Sequence, residues 1–258
     1  MDLVPAETAL PTAPLTREHL PRPGDYKTYR ACARWDFGFT CAFCFLHEGD
    51  VAGLGAEGTG LMWLEHLETQ TASPAERDEY KNLAWSCRFC NDTRGSRHSH
   101  SPAAGPKLLN PVVAPWASHF HFELESSEAI GKHVLREKSA TDADAVLTRK
   151  AYHLDAANKT ELRTSRHARI AFYLQCESDM IELVPRLLAA AREQRDQATK
   201  KAQLDAAKAI EVGYTQALRE VRRHEAVPHD APAKCRCTAQ HALPEWLRSQ
   251  LISCDPLS

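Results

Sequence analysis

Two Cys-x-x-Cys pairs, Cys41/Cys44 and Cys87/Cys90, stand 42 residues apart and constrain this chain more than any other feature. Two thiol pairs at such a spacing suit one four-cysteine zinc site, in which four thiolates surround the ion as a tetrahedron at about 2.3 Å. A site of that kind closes the intervening chain into a small unit. It also brings Glu65, His66 and Asn91, which lie inside or just after the interval, within reach of one another. Cys32 falls outside the spacing and reads as a buried free thiol. The chain holds nine cysteines in 258 residues. An odd count in a long chain, with four in metal spacing, points away from a secreted disulfide scaffold and toward a reducing cytoplasm.

Composition narrows the classes further. Hydrophobic content of 43% and charged content of 26% are ordinary for a soluble protein. No apolar run approaches the roughly 20 residues of a membrane span. The first 15 residues carry two acids and no Lys or Arg, unlike a signal peptide. The formal net charge of -2 argues against a generic nucleic-acid coat, although one basic face remains compatible with it. Lys81, Arg88, Arg94, Arg97 and Lys107 supply such a local excess against Asp92 alone. It reads either as a solvated helix face or as the footprint of a polyanionic partner.

Taken in order, residues 1–24 form a Pro-rich extended or disordered arm, with disorder expected for the first 15. A short helix is expected from about Asp25 to Trp35, then a turn holding Cys41 and Cys44. Residues 48–60 are Gly-rich and read as a loop; no Lys-Ser/Thr follows to make it a phosphate loop. Residues 61–67 predict a strand ending at Glu65-His66. Residues 68–80 predict an exposed loop with a helical turn, and a short helix is expected after Cys90. Near 119–122, His119 and His121 alternate with Phe120 and Phe122, which places both histidines on one face of a strand. Residues 126–175 read as a strand or loop and a basic helix. Residues 176–258 are mainly helical. Ile181, Val184, Leu188 and Ala191, and again Ile210, Tyr214, Leu218 and Val221, recur at helical spacing. Pro185 sits early in that pattern. The stretch predicts either two helices packed on the core or one helix offering a partner-binding stripe. A second zinc site from Cys235, Cys237, His241 and Cys254 is left open.

Three segments together resemble the HNH endonucleases: DFGFTCAFC (36–44), LEHL (64–67) and NLAWSCRFCNDTRG (82–95). They are similar to that family's cysteine knuckle, its acid-His pair at a strand end, and its Asn-Leu lead into Cys-x-x-Cys-Asn with a basic helix after it. RPGDYKTYR (22–30), the 108–123 region and TRKAYHLDAANKTELRTSR (148–166) resemble a bacterial stand-alone subgroup, some of it linked to anti-phage defence. The chain departs from the family pattern in three places. Leu67-Glu68-Thr69 follows His66 without the usual proline, Arg94 stands where Lys is common, and Asn110-Pro111 replaces an Asp-Pro pair.

The resemblance implies an α+β fold with a zinc-stabilised ββα-metal core over 25–125, completed by 126–175. It implies that His66 is the general base for phosphodiester hydrolysis of DNA. Glu65 and Asn91 would hold a catalytic Mg²⁺ or Mn²⁺, and Asn82 would orient the backbone that positions His66. The zinc on Cys41, Cys44, Cys87 and Cys90 would be purely structural, because four thiolates leave no open position. Arg88, Arg94 and Arg97 would contact phosphates. A regulatory partner such as an ATPase would act through the C-terminal helices. The competing reading is a catalytically silent zinc-stabilised module that binds nucleic acid or a protein; an RNase is a further alternative.

Overall fold

A computed structural model of the chain describes residues 10–17, 19, 21, 25–52, 61–68, 73–94, 99–125 and 132–225. Two compact units divide at Thr164/Ser165. The expected boundary at 175/176 falls inside a continuous helix. The Gly-rich segment beyond residue 52, Arg97, and the Cys235, Cys237, His241 and Cys254 group all lie outside the described residues.

The first unit is built around a strand-strand-helix motif. Strand β1 (Met62–His66) pairs antiparallel with β2 (Leu83–Cys87), and His66 lies opposite Leu83. Every residue of β2 is buried. Helix α4 (Arg88–Arg94) follows without a loop, so it begins before Cys90 rather than after it. Ahead of β1, a 3₁₀ turn at Tyr26–Tyr29 leads into α1 (Arg30–Asp36). Glu48–Ala52 then forms a short helix, α2, within the segment expected to be loop. Arg34 joins α1 to α2 through two hydrogen bonds to Glu48, of 2.6 and 3.1 Å, with both side chains buried. A short helix α3 (Pro74–Arg77) supplies the helical turn expected between β1 and β2.

Residues 10–17 contain neither helix nor strand, yet they are not a free tail. Leu10 and Leu15 are buried in the hydrophobic core, and the Leu15 amide donates to the Pro111 carbonyl at 2.9 Å. Two spaced leucines in a Pro-rich stretch carry no periodicity, so their anchoring is tertiary and invisible to pattern reading.

A second antiparallel pair comprises β3 (Phe120–Glu125) and β4 (Lys132–Glu137). It is preceded by α5 (Trp116–His119). His119 therefore ends a helix and does not share a strand face with His121. Its Nδ1 lies 2.7 Å from Asp142, whose other oxygen caps the following helix α6 (Ala143–Tyr152) by accepting from the Ala145 amide. The two histidines thus form no ligand pair; His121 is exposed.

The C-terminal helices are longer than the sequence pattern implied. Helix α7 runs from Ala157 to Glu193 and α8 from Gln197 to Glu225. Pro185 lies deep inside α7, not near its start. The break between them is set by Asp196, whose carboxylate accepts from the Thr199 amide at 2.7 Å, the usual device for starting a new helix. In the second unit, Tyr173 of α7 and Tyr214 of α8 place their rings 5.8 Å apart. Ala207 and Ala217 are buried and Ile210 and Tyr214 half-buried, a stripe at helical spacing. On α7, Ile181 and Leu188 are exposed, as a partner-binding stripe and not a core-packed face would have them.

Candidate metal centre and strand-end histidine

The four knuckle cysteines converge. Cys41, Cys44, Cys87 and Cys90 are all buried, and their sulfurs lie within 4.8 Å of one another. Among the described residues this is the group of three or more His, Cys, Asp or Glu side chains placed to hold one metal ion. The Cys44 and Cys87 sulfurs are 3.6 Å apart. That is far longer than a disulfide and close to the roughly 3.8 Å edge of a tetrahedron with 2.3 Å metal-sulfur bonds. Four soft donors at this separation fit a metal such as zinc.

Local backbone explains the convergence. The Cys41 amide donates to the Leu46 carbonyl at 2.9 Å and the Phe45 amide to the Cys41 carbonyl at 3.0 Å, which closes the first knuckle. Phe45 takes a left-handed conformation, φ 60°, that favours glycine; its ring sits edge-on to Trp116 at 5.6 Å, and this packing holds it there. The Ala42 amide donates to the Trp85 carbonyl at 2.8 Å, tying the first knuckle to β2. The second pair straddles the end of β2 and the first turn of α4, so strand-to-helix continuity aims both sulfurs at the first knuckle.

His66 ends β1 with its side chain one-fifth exposed, enough for water to reach it. Its Nε2 lies 3.3 Å from Asp78, and the Tyr26 ring is 5.1 Å away. Burial lowers its pKa below the ordinary histidine value, with Asp78 pulling the other way. Asp78 and Tyr26 carried no sequence signal, because nothing in a spacing ties them to His66.

Asn82 pins the chain that leaves His66. Its Oδ1 accepts from the Glu68 amide at 2.8 Å, and its Nδ2 donates to the carbonyls of Glu68 and Arg77 at 2.8 and 2.9 Å. The Leu67 amide donates to the Asn82 carbonyl at 2.8 Å.

Arg94 corrects the expected phosphate contact. It is buried, hydrogen-bonded to the Glu65 carboxylate and the His66 carbonyl, and its Nη2 donates to the Leu67 carbonyl at 2.8 Å. A guanidinium engaged with three buried acceptor oxygens at the end of β1 is turned away from a phosphate at the surface. Glu65 is correspondingly engaged; burial pushes its carboxyl up to about 7 even against Arg94. Asn91 is half-buried on α4, one turn before Arg94 and on the same helix face. The Glu65 carboxylate is thus paired with the Arg94 guanidinium. Arg88 is exposed, 2.9 Å from Asp92 and over the Trp63 ring at 5.9 Å. His100 is a core group: its Nδ1 lies 3.0 Å from the Leu108 carbonyl and its Nε2 3.2 Å from the Tyr152 hydroxyl.

No family model matches the chain, and no curated protein or solved structure shows significant similarity to it. No helix among the described residues is long and apolar enough to cross a membrane.

Proposed function

We propose that this chain is an HNH-type endonuclease that hydrolyses DNA phosphodiester bonds, with His66 as general base and a structural zinc on Cys41, Cys44, Cys87 and Cys90. One observation carries the reading. His66 ends a strand whose hairpin partner runs directly into a helix; the cysteine cluster at the start of that helix ties it to the first knuckle, and Arg94 at its end ties it to the end of the strand. A small unit so braced can hold one imidazole at a fixed place beside solvent.

In this reading, His66 takes a proton from a water molecule while the water oxygen bonds to phosphorus and the bond to the leaving oxygen breaks. Asp78 steadies the ring and stabilises the imidazolium that results. Asn82 fixes the chain on the far side of His66. A divalent ion, when bound, supplies charge stabilisation at the phosphate. Glu65 joins it only if the pair with Arg94 opens. A regulatory protein in a defence setting would act through α7 and α8, where Phe172, Ile181 and Val212 are exposed.

The buried Glu65–Arg94 pair favours the second reading, a silent binding module, because it occupies the carboxylate that metal-dependent chemistry calls for. Supercoiled plasmid incubated with Mg²⁺, with Mn²⁺ and with chelator separates the two. Nicking by the wild type that is lost in His66→Ala, with metal content and melting unchanged, supports the nuclease. DNA binding without nicking, insensitive to His66→Ala, supports the module.

A further inference from the structure

Two cations are buried beside the cysteine cluster, both from the first two turns of α7. Lys159 is 1% exposed, and its Nζ donates to the Cys90 sulfur at 3.3 Å, to the Phe89 carbonyl at 3.3 Å and to the Tyr152 carbonyl. Arg163 is 3% exposed. It donates to the carbonyls of Cys44 at 3.4 Å, Leu154 at 2.8 Å and His133 at 3.1 Å, and to the Thr160 hydroxyl at 3.4 Å. None of these hydrogen bonds goes to a carboxylate. A buried cation without an anionic partner is among the costliest features a fold can carry. Asp155, within electrostatic range of Arg163, is already paired with Arg136 and Arg149, while the Cys90 sulfur touches Lys159 and the Cys44 backbone touches Arg163.

We propose that Lys159 and Arg163 are the outer part of the metal site, and that they compensate the two negative charges of a zinc ion held by four thiolates, with Lys159 donating directly to the Cys90 sulfur. Four thiolates and one divalent cation leave a net charge of -2, and one ammonium and one guanidinium cancel it. The hydrogen bond to sulfur withdraws charge from the Cys90 thiolate and disfavours its protonation and departure. The same contact seats the start of α7 on the knuckles, so metal affinity and the docking of 157–164 depend on each other. The inference rests on the metal reading of the cysteine cluster and not on the nuclease reading.

The test uses the full chain loaded with zinc, and in parallel with cobalt(II). Transfer of zinc to a chromophoric chelator is timed for the wild type, Lys159→Met and Lys159→Gln; glutamine is neutral but still offers an N–H to sulfur. Loss of an outer-sphere partner typically costs 10–100-fold in metal affinity. Lys159→Met should release zinc about 10–100 times faster, with Lys159→Gln between it and the wild type. In the cobalt proteins the thiolate-to-metal charge-transfer band should move to lower energy in Lys159→Met, because the sulfur lone pairs lose their donor. A residue that merely packs would lower the melting temperature without moving that band. Release and band both unchanged in Lys159→Met would overturn the proposal. If that variant does not fold, unchanged release in Lys159→Gln overturns it equally. A wild type that binds no zinc removes the metal reading itself, an outcome distinct from either.

Discussion

The Nε2 of His66 lies 3.3 Å from a carboxylate oxygen of Asp78, twelve residues further along the chain and across the loop between β1 and β2. The pair couples a partly exposed imidazole to an acid that Arg77 also holds, at 2.9 Å. General base catalysis contributes roughly 10²–10⁴-fold. His66→Ala should therefore abolish plasmid nicking while leaving metal content and melting temperature close to wild type. Asp78→Asn keeps the ring's neighbour but removes its charge. It should slow single-turnover cleavage by about tenfold or more without weakening DNA binding in a filter assay. Equal loss of binding and cleavage would assign Asp78 to the substrate surface instead.

Asn82 makes three side-chain hydrogen bonds in a nearly buried position, and all three go to the chain that connects His66 to β2. Removing them strands two carbonyls and one amide. An unmade buried hydrogen bond costs about 1–3 kcal/mol, so Asn82→Ala should lower unfolding stability by at least about 2 kcal/mol in a denaturant titration. Asn82→Asp keeps the acceptor and loses the donors, and should fall between. A change under about 0.5 kcal/mol for Asn82→Ala would mean that the loop is held by other contacts.

The metal cluster was legible in the sequence because thiol chemistry demands it: four cysteines in two knuckles allow few other arrangements. Strand β1 and the helix after β2 were legible from apolar runs and knuckle geometry. Arg94 was misread. A basic residue on a short helix after a metal knuckle looks like a phosphate contact, and only the packing of α4 against β1 shows its guanidinium turned inward to Glu65. Lys159 was missed for the same reason. Nothing in the sequence around it says that its ammonium will sit against a sulfur 69 residues earlier. Long-range polar contacts within a core leave no period to read. The core role of Leu10 and Leu15 was hidden because a strand-free, helix-free segment has no pattern to betray its anchors.

Arg94 and Glu65 form a buried ion pair, and the two partners should respond unequally to mutation. Breaking such a pair from one side leaves an uncompensated charge and typically costs about 3–5 kcal/mol. Arg94→Met deprives Glu65 of its partner and also leaves the carbonyls of His66 and Leu67 without a donor. Glu65→Gln retains a polar acceptor for Arg94 and should cost less. Urea denaturation of both variants checks the order. A phosphate-binding role for Arg94 would instead leave stability unchanged and weaken DNA binding alone.

His100 offers a pH-dependent stability with a definite sign. It sits in the core between the Leu108 carbonyl and the Tyr152 hydroxyl, with the Phe43 ring stacked 6.2 Å away. Burial depresses its pKa to about 3, and the nearby Arg94 adds to the effect. In the unfolded chain the group titrates near the ordinary histidine value of about 6.5. Between those two values the unfolded state binds the extra proton, so stability rises with pH there. The contribution is fully present above about 6.5 and is lost progressively as pH falls toward about 3, at up to about 1.4 kcal/mol per pH unit for one group. Other groups also titrate in acid, so the comparison is made against His100→Gln, which cannot charge. The unfolding free energy of the wild type should fall more steeply between pH 6.5 and 5 than that of the variant, by roughly one proton's worth of slope. Parallel slopes would mean that His100 titrates in the folded protein as it does in the unfolded chain, and that the pocket formed by Phe43, Leu108 and Tyr152 opens to water.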